Sequence, residues 1–178
     1  MASLHDLNTG DVKSVVRLLE PLIERAPYIA AKVADKRPFL SCEDLIEAIG
    51  HELHHLDLEQ KIALFQAHPE LAPDNPLTMT KASQGEQGRL GLTDETSSFK
   101  QQLDTLNAQY TKTHGFPFIT ALVRHQNMES VLQEFKARLQ ETTEAETRRA
   151  LIEIATVSSE RVRRTFDASI PSKSPKVE

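Results

Sequence analysis

The chain has a single cysteine, Cys42, among its 178 residues. One thiol makes no internal disulfide and no cysteine-rich zinc or iron–sulfur site, which fits a reducing compartment. A basic surplus is also missing, since 21 Lys and Arg face 26 Asp and Glu for a formal charge of −5. Proteins that coat nucleic acid carry such a surplus, so no nucleic-acid partner is expected. No apolar run approaches the roughly 18 residues of a spanning helix. The first ten residues lack a basic stretch followed by an apolar one. The chain ends Pro175-Lys176-Val177-Glu178, without a peroxisomal signal of the Ser-Lys-Leu type. A cytoplasmic protein with no membrane partner is therefore expected. Hydrophobic residues at 39% and charged residues at 26% make an ordinary globular balance, and the length suits one domain.

Apolar residues recur at helical spacing almost everywhere, which predicts an all-α, single-domain bundle of about seven to eight helices. A first helix carries Val12, Val15, Val16, Leu19, Leu22 and Ile23 and ends near Ala26, ahead of Pro27. A short second helix runs from Pro27 to about Ala34, and a third opens at Ser41. Asp57 and Gln60 form a capping box for a fourth, which stops near His68-Pro69. The stretch from Glu70 to Leu92 is long, rich in proline and glycine, and holds a short helix starting near Ser83. Thr93 is read as the cap of the fifth long helix, with Phe99, Leu103, Leu106 and Tyr110 inward and Gly115 as its stop. Phe116 to Ile119 is extended, and Ala121-Leu122-Val123 has the look of a short strand. Asn127 caps a sixth helix, and the last runs from about Thr143 to about Phe166. Residues 1–168 form the helical domain, and 169–178 read as a frayed tail.

Two sets of residues carry chemistry. The first is His51-Glu52-Leu53-His54-His55, which matches H-E-x-x-H. In that pattern two histidines on one helix face bind zinc and the glutamate is the general base. A catalytic zinc also needs a third protein ligand, and none is evident nearby. The plainer reading is a polar helix end, where the dipole favours histidine.

The second set is scattered. His68-Pro69-Glu70-Leu71-Ala72 ends the fourth helix, Ser83-Gln84-Gly85-Glu86-Gln87 lies in the long connection, and Gly115-Phe116-Pro117-Phe118-Ile119 follows the fifth helix. Each has a plain structural reading: a capping or core histidine, a capping box of Ser83 with Glu86, core phenyl rings. In the last helix Arg161 lies on the edge of the apolar face, beside Ile154, whereas Glu153, Glu160, Arg163 and Arg164 project elsewhere. Either its stem packs and its head reaches water, or its planar fork is aimed into a cleft.

Taken together, these stretches resemble the OHCU decarboxylases, which act on 2-oxo-4-hydroxy-4-carboxy-5-ureidoimidazoline in urate breakdown. Pro27-Tyr28-Ile29-Ala30 and Arg37-Pro38-Phe39 add to the resemblance, which runs from Leu7 to about Phe166. It implies an all-α homodimer that uses no metal or organic cofactor. By motif, His68 matches the catalytic histidine and Pro69 its neighbour at the substrate. Ser83, Glu86 and Gln87 match the substrate-binding stretch, Phe118 and Ile119 the backbone contact segment, and Arg161 the arginine of the last helix. The implied roles are proton donation by His68, which sets the S configuration of allantoin, and either orientation of His68 or repulsion of the substrate carboxylate by Glu86. Gln87 and the backbone around Ile119 would contact the ring and ureido groups, and Arg161 a substrate oxygen. Two other readings stay open here: a zinc hydrolase using His51, Glu52 and His55, and a non-catalytic helical interaction module. In the latter, His68 and Glu86 would lie far apart.

Overall fold

A computed structural model describes residues 2–94 and 98–167, so the expected tail at 169–178 lies outside the described residues. Among those residues there are nine α-helices and no strand. They are α1 Leu4–Thr9, α2 Val12–Leu19, α3 Pro27–Ala34, α4 Cys42–His54, α5 Leu58–Gln66, α6 Lys81–Gly88, α7 Lys100–His114, α8 Met128–Leu139 and α9 Thr143–Phe166. The helix beyond the expected set is α1, closed by a capping box between Ser3 and Asp6.

Local chemistry explains most boundaries. Ser41, Asp57 and Asn127 each accept a hydrogen bond from the backbone N–H three residues on, as N-caps do. Gly115 stops α7 in the left-handed conformation, with φ at 81°, where a side chain would be strained. Four boundaries differ from expectation. The first long helix breaks after Leu19 into a 3₁₀ turn, Glu20–Leu22, because Pro21 cannot continue the ladder. The helix in the long connection is capped by Thr80, which accepts from Ser83, so Ser83 is one turn inside α6 and caps nothing. Helix α7 begins at Lys100 after Phe99 and not at Thr93, which belongs to the turn after α6. Ala121-Leu122-Val123 is no strand, since Leu122–Arg124 form a 3₁₀ turn.

Helix α9 is the central strut. It packs on α4, α5, α7 and the two 3₁₀ turns Glu20–Leu22 and Leu122–Arg124. Its buried face is partly polar, with Glu146, Glu153, Ser158 and Arg161 beside Ala150, Ile154, Val162 and Phe166. Glu153 is thus a correction, because it is buried and not turned to solvent. It accepts from the Ala121 N–H and from Arg149, at 2.8 and 2.7 Å, and pairs with Arg124. These cations compensate its burial. Next to this face Tyr110, Phe116, Phe118 and Phe135 form an aromatic core, with Phe118 stacked on Phe135 at 3.9 Å and Tyr110 bonded to Glu146. Phe116 faces Phe65 and Tyr110 in that core.

Candidate active site

A cavity of about 50 Å³ opens where the end of α5, α6, α9 and the segment after Gly115 meet. Its wall includes all eight residues singled out in the sequence: His68, Pro69, Ser83, Glu86, Gln87, Phe118, Ile119 and Arg161. Residues some 90 positions apart in the chain thus share one small space. Phe118 reaches it and Phe116 does not.

His68 sits just past the C-terminus of α5. Its backbone N–H closes the last turn on the Phe65 carbonyl at 3.0 Å. Its ring Nδ1 lies 2.8 Å from the Leu64 carbonyl oxygen, which can only accept, so Nδ1 carries the proton and Nε2 keeps its lone pair. Burial pushes the imidazole below its ordinary value, and the charges of Arg161 and Arg25 act the same way. The Leu64 bond and the Glu24 charge oppose this without reversing it. His68 is therefore a neutral imidazole near pH 7.

The chain leaving His68 is fixed from several sides. The Gln87 amide donates to the Glu70 carbonyl at 2.9 Å, and its oxygen accepts the Ala72 N–H at 2.8 Å. Asn107 donates to the Leu71 carbonyl at 2.9 Å. These bonds hold Ala72 in the left-handed region, with φ at 50°, which costs a non-glycine residue about 1 kcal/mol or more. Gln87 lines the cavity, and both ends of its amide already orient the loop.

Arg161 is buried, with 6% of its side chain exposed. Its Nε and Nη2 each donate to one oxygen of Glu86 at 2.8 Å, in a two-pronged pair. Nη1 donates to Glu24 at 3.1 Å and to the Pro21 carbonyl at 3.2 Å, and Nη2 reaches the Ser83 hydroxyl at 3.4 Å. All five N–H groups are engaged. Burial works against the guanidinium charge, but the bonds to Glu86 and Glu24 outweigh it and hold its pKa above the ordinary value. Of the two readings of Arg161, the head in water is excluded. Both Glu86 oxygens are occupied by Arg161, and the His68 Nδ1–H is bonded to Leu64.

Glu24 is the functional candidate that the sequence reading missed. It lines the cavity with only 2% of its side chain exposed. Its Oε2 accepts from Thr80 at 2.9 Å, Ser83 at 2.9 Å and Arg161 at 3.1 Å. A carboxylate inside the apolar run Leu22-Ile23-Glu24, next to the break at Pro21, was the available signal.

The segment along the other wall is held from behind. Arg138 donates to the Ile119 carbonyl at 2.8 Å, and His125 contacts the Thr120 hydroxyl at 3.1 Å. Arg138 pairs with Glu146 and Glu134, and stands 4.5 Å over the Phe118 ring.

The H-E-x-x-H stretch is elsewhere, and none of its residues lines the cavity. His51 and His55 stack at 4.0 Å, Glu52 pairs with Lys36 at 2.8 Å, and Lys36 also meets the His51 ring at 2.8 Å. Among the described residues no group of three His, Cys, Asp or Glu is placed to hold a metal ion. The zinc reading thus lacks its third ligand. The interaction-module reading fails on its own terms, since His68 and Glu86 share one cavity. No helix among the described residues is long and apolar enough to cross a membrane.

Comparison with known proteins identifies the family of the chain. The family model for OHCU decarboxylase matches residues 8–163. The chain is 30% identical over 174 residues to the 2-oxo-4-hydroxy-4-carboxy-5-ureidoimidazoline decarboxylase of Xenopus laevis, covering 94% of this chain and 99% of that one. It is 34% identical over 154 residues to the Mus musculus protein of the same name, covering 85% and 86%. Among solved structures, an OHCU decarboxylase crystallised in the presence of (S)-allantoin superposes with a TM-score of 0.67 at 19% identity, covering 89% of this chain and 99% of that chain. An (S)-allantoin synthase gives 0.71 at 23% identity, covering 94% of this chain and 54% of the other. The two superpositions establish a common fold; the match across nearly the whole sequence establishes more, and the chain belongs to the OHCU decarboxylase family.

Proposed function

We propose that the protein decarboxylates 2-oxo-4-hydroxy-4-carboxy-5-ureidoimidazoline to (S)-allantoin in urate degradation, with His68 handling the proton. The observation that carries this is the sharing of one cavity by His68, Glu86 and Arg161, together with Pro69, Ser83, Gln87, Phe118 and Ile119.

The chemistry needs no separate electron sink. The carbon that loses CO₂ bears a hydroxyl, and its neighbour, which bears the ureido group, is part of a C=N bond. When the C–C bond to the carboxylate breaks, its electron pair forms a C=C bond and the C=N pair moves to nitrogen, which takes a proton from water. The product is an enol. Removing the enol proton re-forms the carbonyl, and a proton must reach the neighbouring carbon from one face. A neutral His68 suits this step: Nε2 takes the hydroxyl proton and returns it to carbon, while the Nδ1–H bond to Leu64 fixes the ring plane. The donor role expected for His68 thus becomes a shuttle, because its Nε2 starts unprotonated.

Glu86 and Glu24 face one guanidinium, so the cavity holds two carboxylates for one cation. A substrate carboxylate bound there is repelled and its loss relieves the repulsion. Arg161 positions both glutamates and leaves a substrate oxygen only the place of its 3.4 Å contact to Ser83. The reading includes the homodimer that the resemblance implies and the cytoplasmic location expected from the sequence. The test is to generate the unstable substrate from urate in situ, add the protein, and follow the circular dichroism of allantoin. Rapid growth of the S signal is expected, and a rate and optical activity no different from the uncatalysed control refute the proposal.

A further inference from the structure

Buried polar atoms without partners are rare in folded proteins, and each calls for a reason. Among the described residues the side-chain atoms in this state belong to Glu24, Asn107, His114 and Arg138. The Arg138 nitrogen is 3.0 Å from a Glu146 oxygen, so its charge is matched. Asn107 and His114 are absent from the cavity wall. Only Glu24 combines an orphan atom with a place at the site, and its three partners all bind Oε2, leaving Oε1 bare.

Leaving a carboxylate oxygen buried and unbonded is costly, and the cost is removed when a donor arrives. No side chain among the described residues donates to Oε1. The Arg161 N–H groups are all engaged, the Ser83 and Thr80 hydroxyls donate to Oε2, and the Gln87 amide holds the loop. A carboxylate held in place through Oε2, with Oε1 buried and unbonded beside the cavity, is preorganised for a ligand N–H. A ureido group carries adjacent N–H and NH₂ donors. Glu24 also borders a neighbouring groove with Arg25, Thr80 and Lys81. It therefore stands in the wall between the cavity and the surface.

We infer that Glu24 is a substrate-recognition residue whose Oε1 accepts a hydrogen bond from the ureido N–H of the ligand, so that the site selects ureido compounds over analogues lacking that donor. This deepens the function proposed above and rests on it.

Glu24→Gln provides the test. Its amide oxygen can replace Oε2 toward Thr80, Ser83 and Arg161, which turns an NH₂ group, a donor, toward the ligand. At pH 8, where His68 is neutral with or without the Glu24 charge, KM rises about tenfold or more. Calorimetric binding of (S)-allantoin weakens by the same factor. Wild-type protein prefers (S)-allantoin over its N-methylated ureido analogue, and E24Q loses that preference. A merely structural role weakens both ligands equally and keeps the preference, which overturns the inference. The inference also fails, without any variant, if wild-type protein binds the methylated analogue as tightly as allantoin. Wild-type protein that neither turns over the substrate nor binds allantoin overturns the proposed function itself, a result distinct from an active wild type with an indifferent Glu24.

Discussion

Two regions of the molecule set histidine beside carboxylate, and they behave in opposite ways. At the end of α4, His51, Glu52 and His55 are neighbours in sequence, and the His51 ring meets Lys36 at 53% side-chain exposure. At the cavity His68, Glu86, Glu24 and Arg161 come from four separate stretches, and both Arg161 and Glu24 are nearly sealed from water. Water screens the exposed His51 ring, and the Lys36 bond holds the Glu52 carboxyl below its ordinary value. Burial perturbs the second, lowering the His68 pKa and locking Arg161 onto two glutamates. Proximity in sequence marks a helix face, whereas strong coupling marks a place where several elements shut out water.

The comparison can be broken most sharply at His68. Replacing it by Asn removes the proton shuttle and is expected to lower kcat/KM by about a thousandfold, with an unchanged far-ultraviolet circular dichroism spectrum. Next comes Arg161→Ala, which strands the buried Glu24 carboxylate and the half-buried Glu86 one. It is expected to cost about 3 kcal/mol or more in urea unfolding, with activity falling as well. A smaller effect concerns pH. The neutral form of His68 is the working form and its folded pKa is depressed, so kcat/KM is expected to stay level through neutrality. It then falls only below the ordinary histidine value of about 6.5. The same sign governs stability: as pH falls the unfolded chain takes up this proton first, so the His68 contribution declines from about 6.5 downward. An acid limb above 6.5 would show that His68 is not desolvated in solution. The smallest effect is at the exposed set, where His51→Ala and His55→Ala are expected to leave kcat within about twofold and unfolding within about 0.5 kcal/mol.

Much of this was readable from the chain. Periodicity placed the helices, and short-range chemistry placed their ends wherever the cap was a single side chain, as at Ser41, Asp57, Asn127 and Gly115. Thr93 misled because a good capping residue does not start a helix that tertiary packing begins later, at Lys100. Ser83 misled for the converse reason, since Thr80 competes for the same role one turn earlier and prevails. The eight residues on the cavity wall were legible as motifs. Their mutual bonding was not, because Arg161 meets Glu86 across 75 positions and Glu24 across 137. Glu153 and Glu24 were misread or missed for one reason. A charged residue in a helix pattern reads as solvent-facing unless its buried partner is known, and the partners lie on other elements.

The most direct test of the central claim sets the two regions side by side. Substrate is formed from urate in situ, and the circular dichroism of allantoin is followed for wild type, His68→Asn and the double variant His51→Ala/His55→Ala. The account predicts fast, S-selective product with wild type and with the double variant, and only slow, uncatalysed conversion with His68→Asn. Full S-selective activity in His68→Asn, or its loss in the double variant, would contradict it.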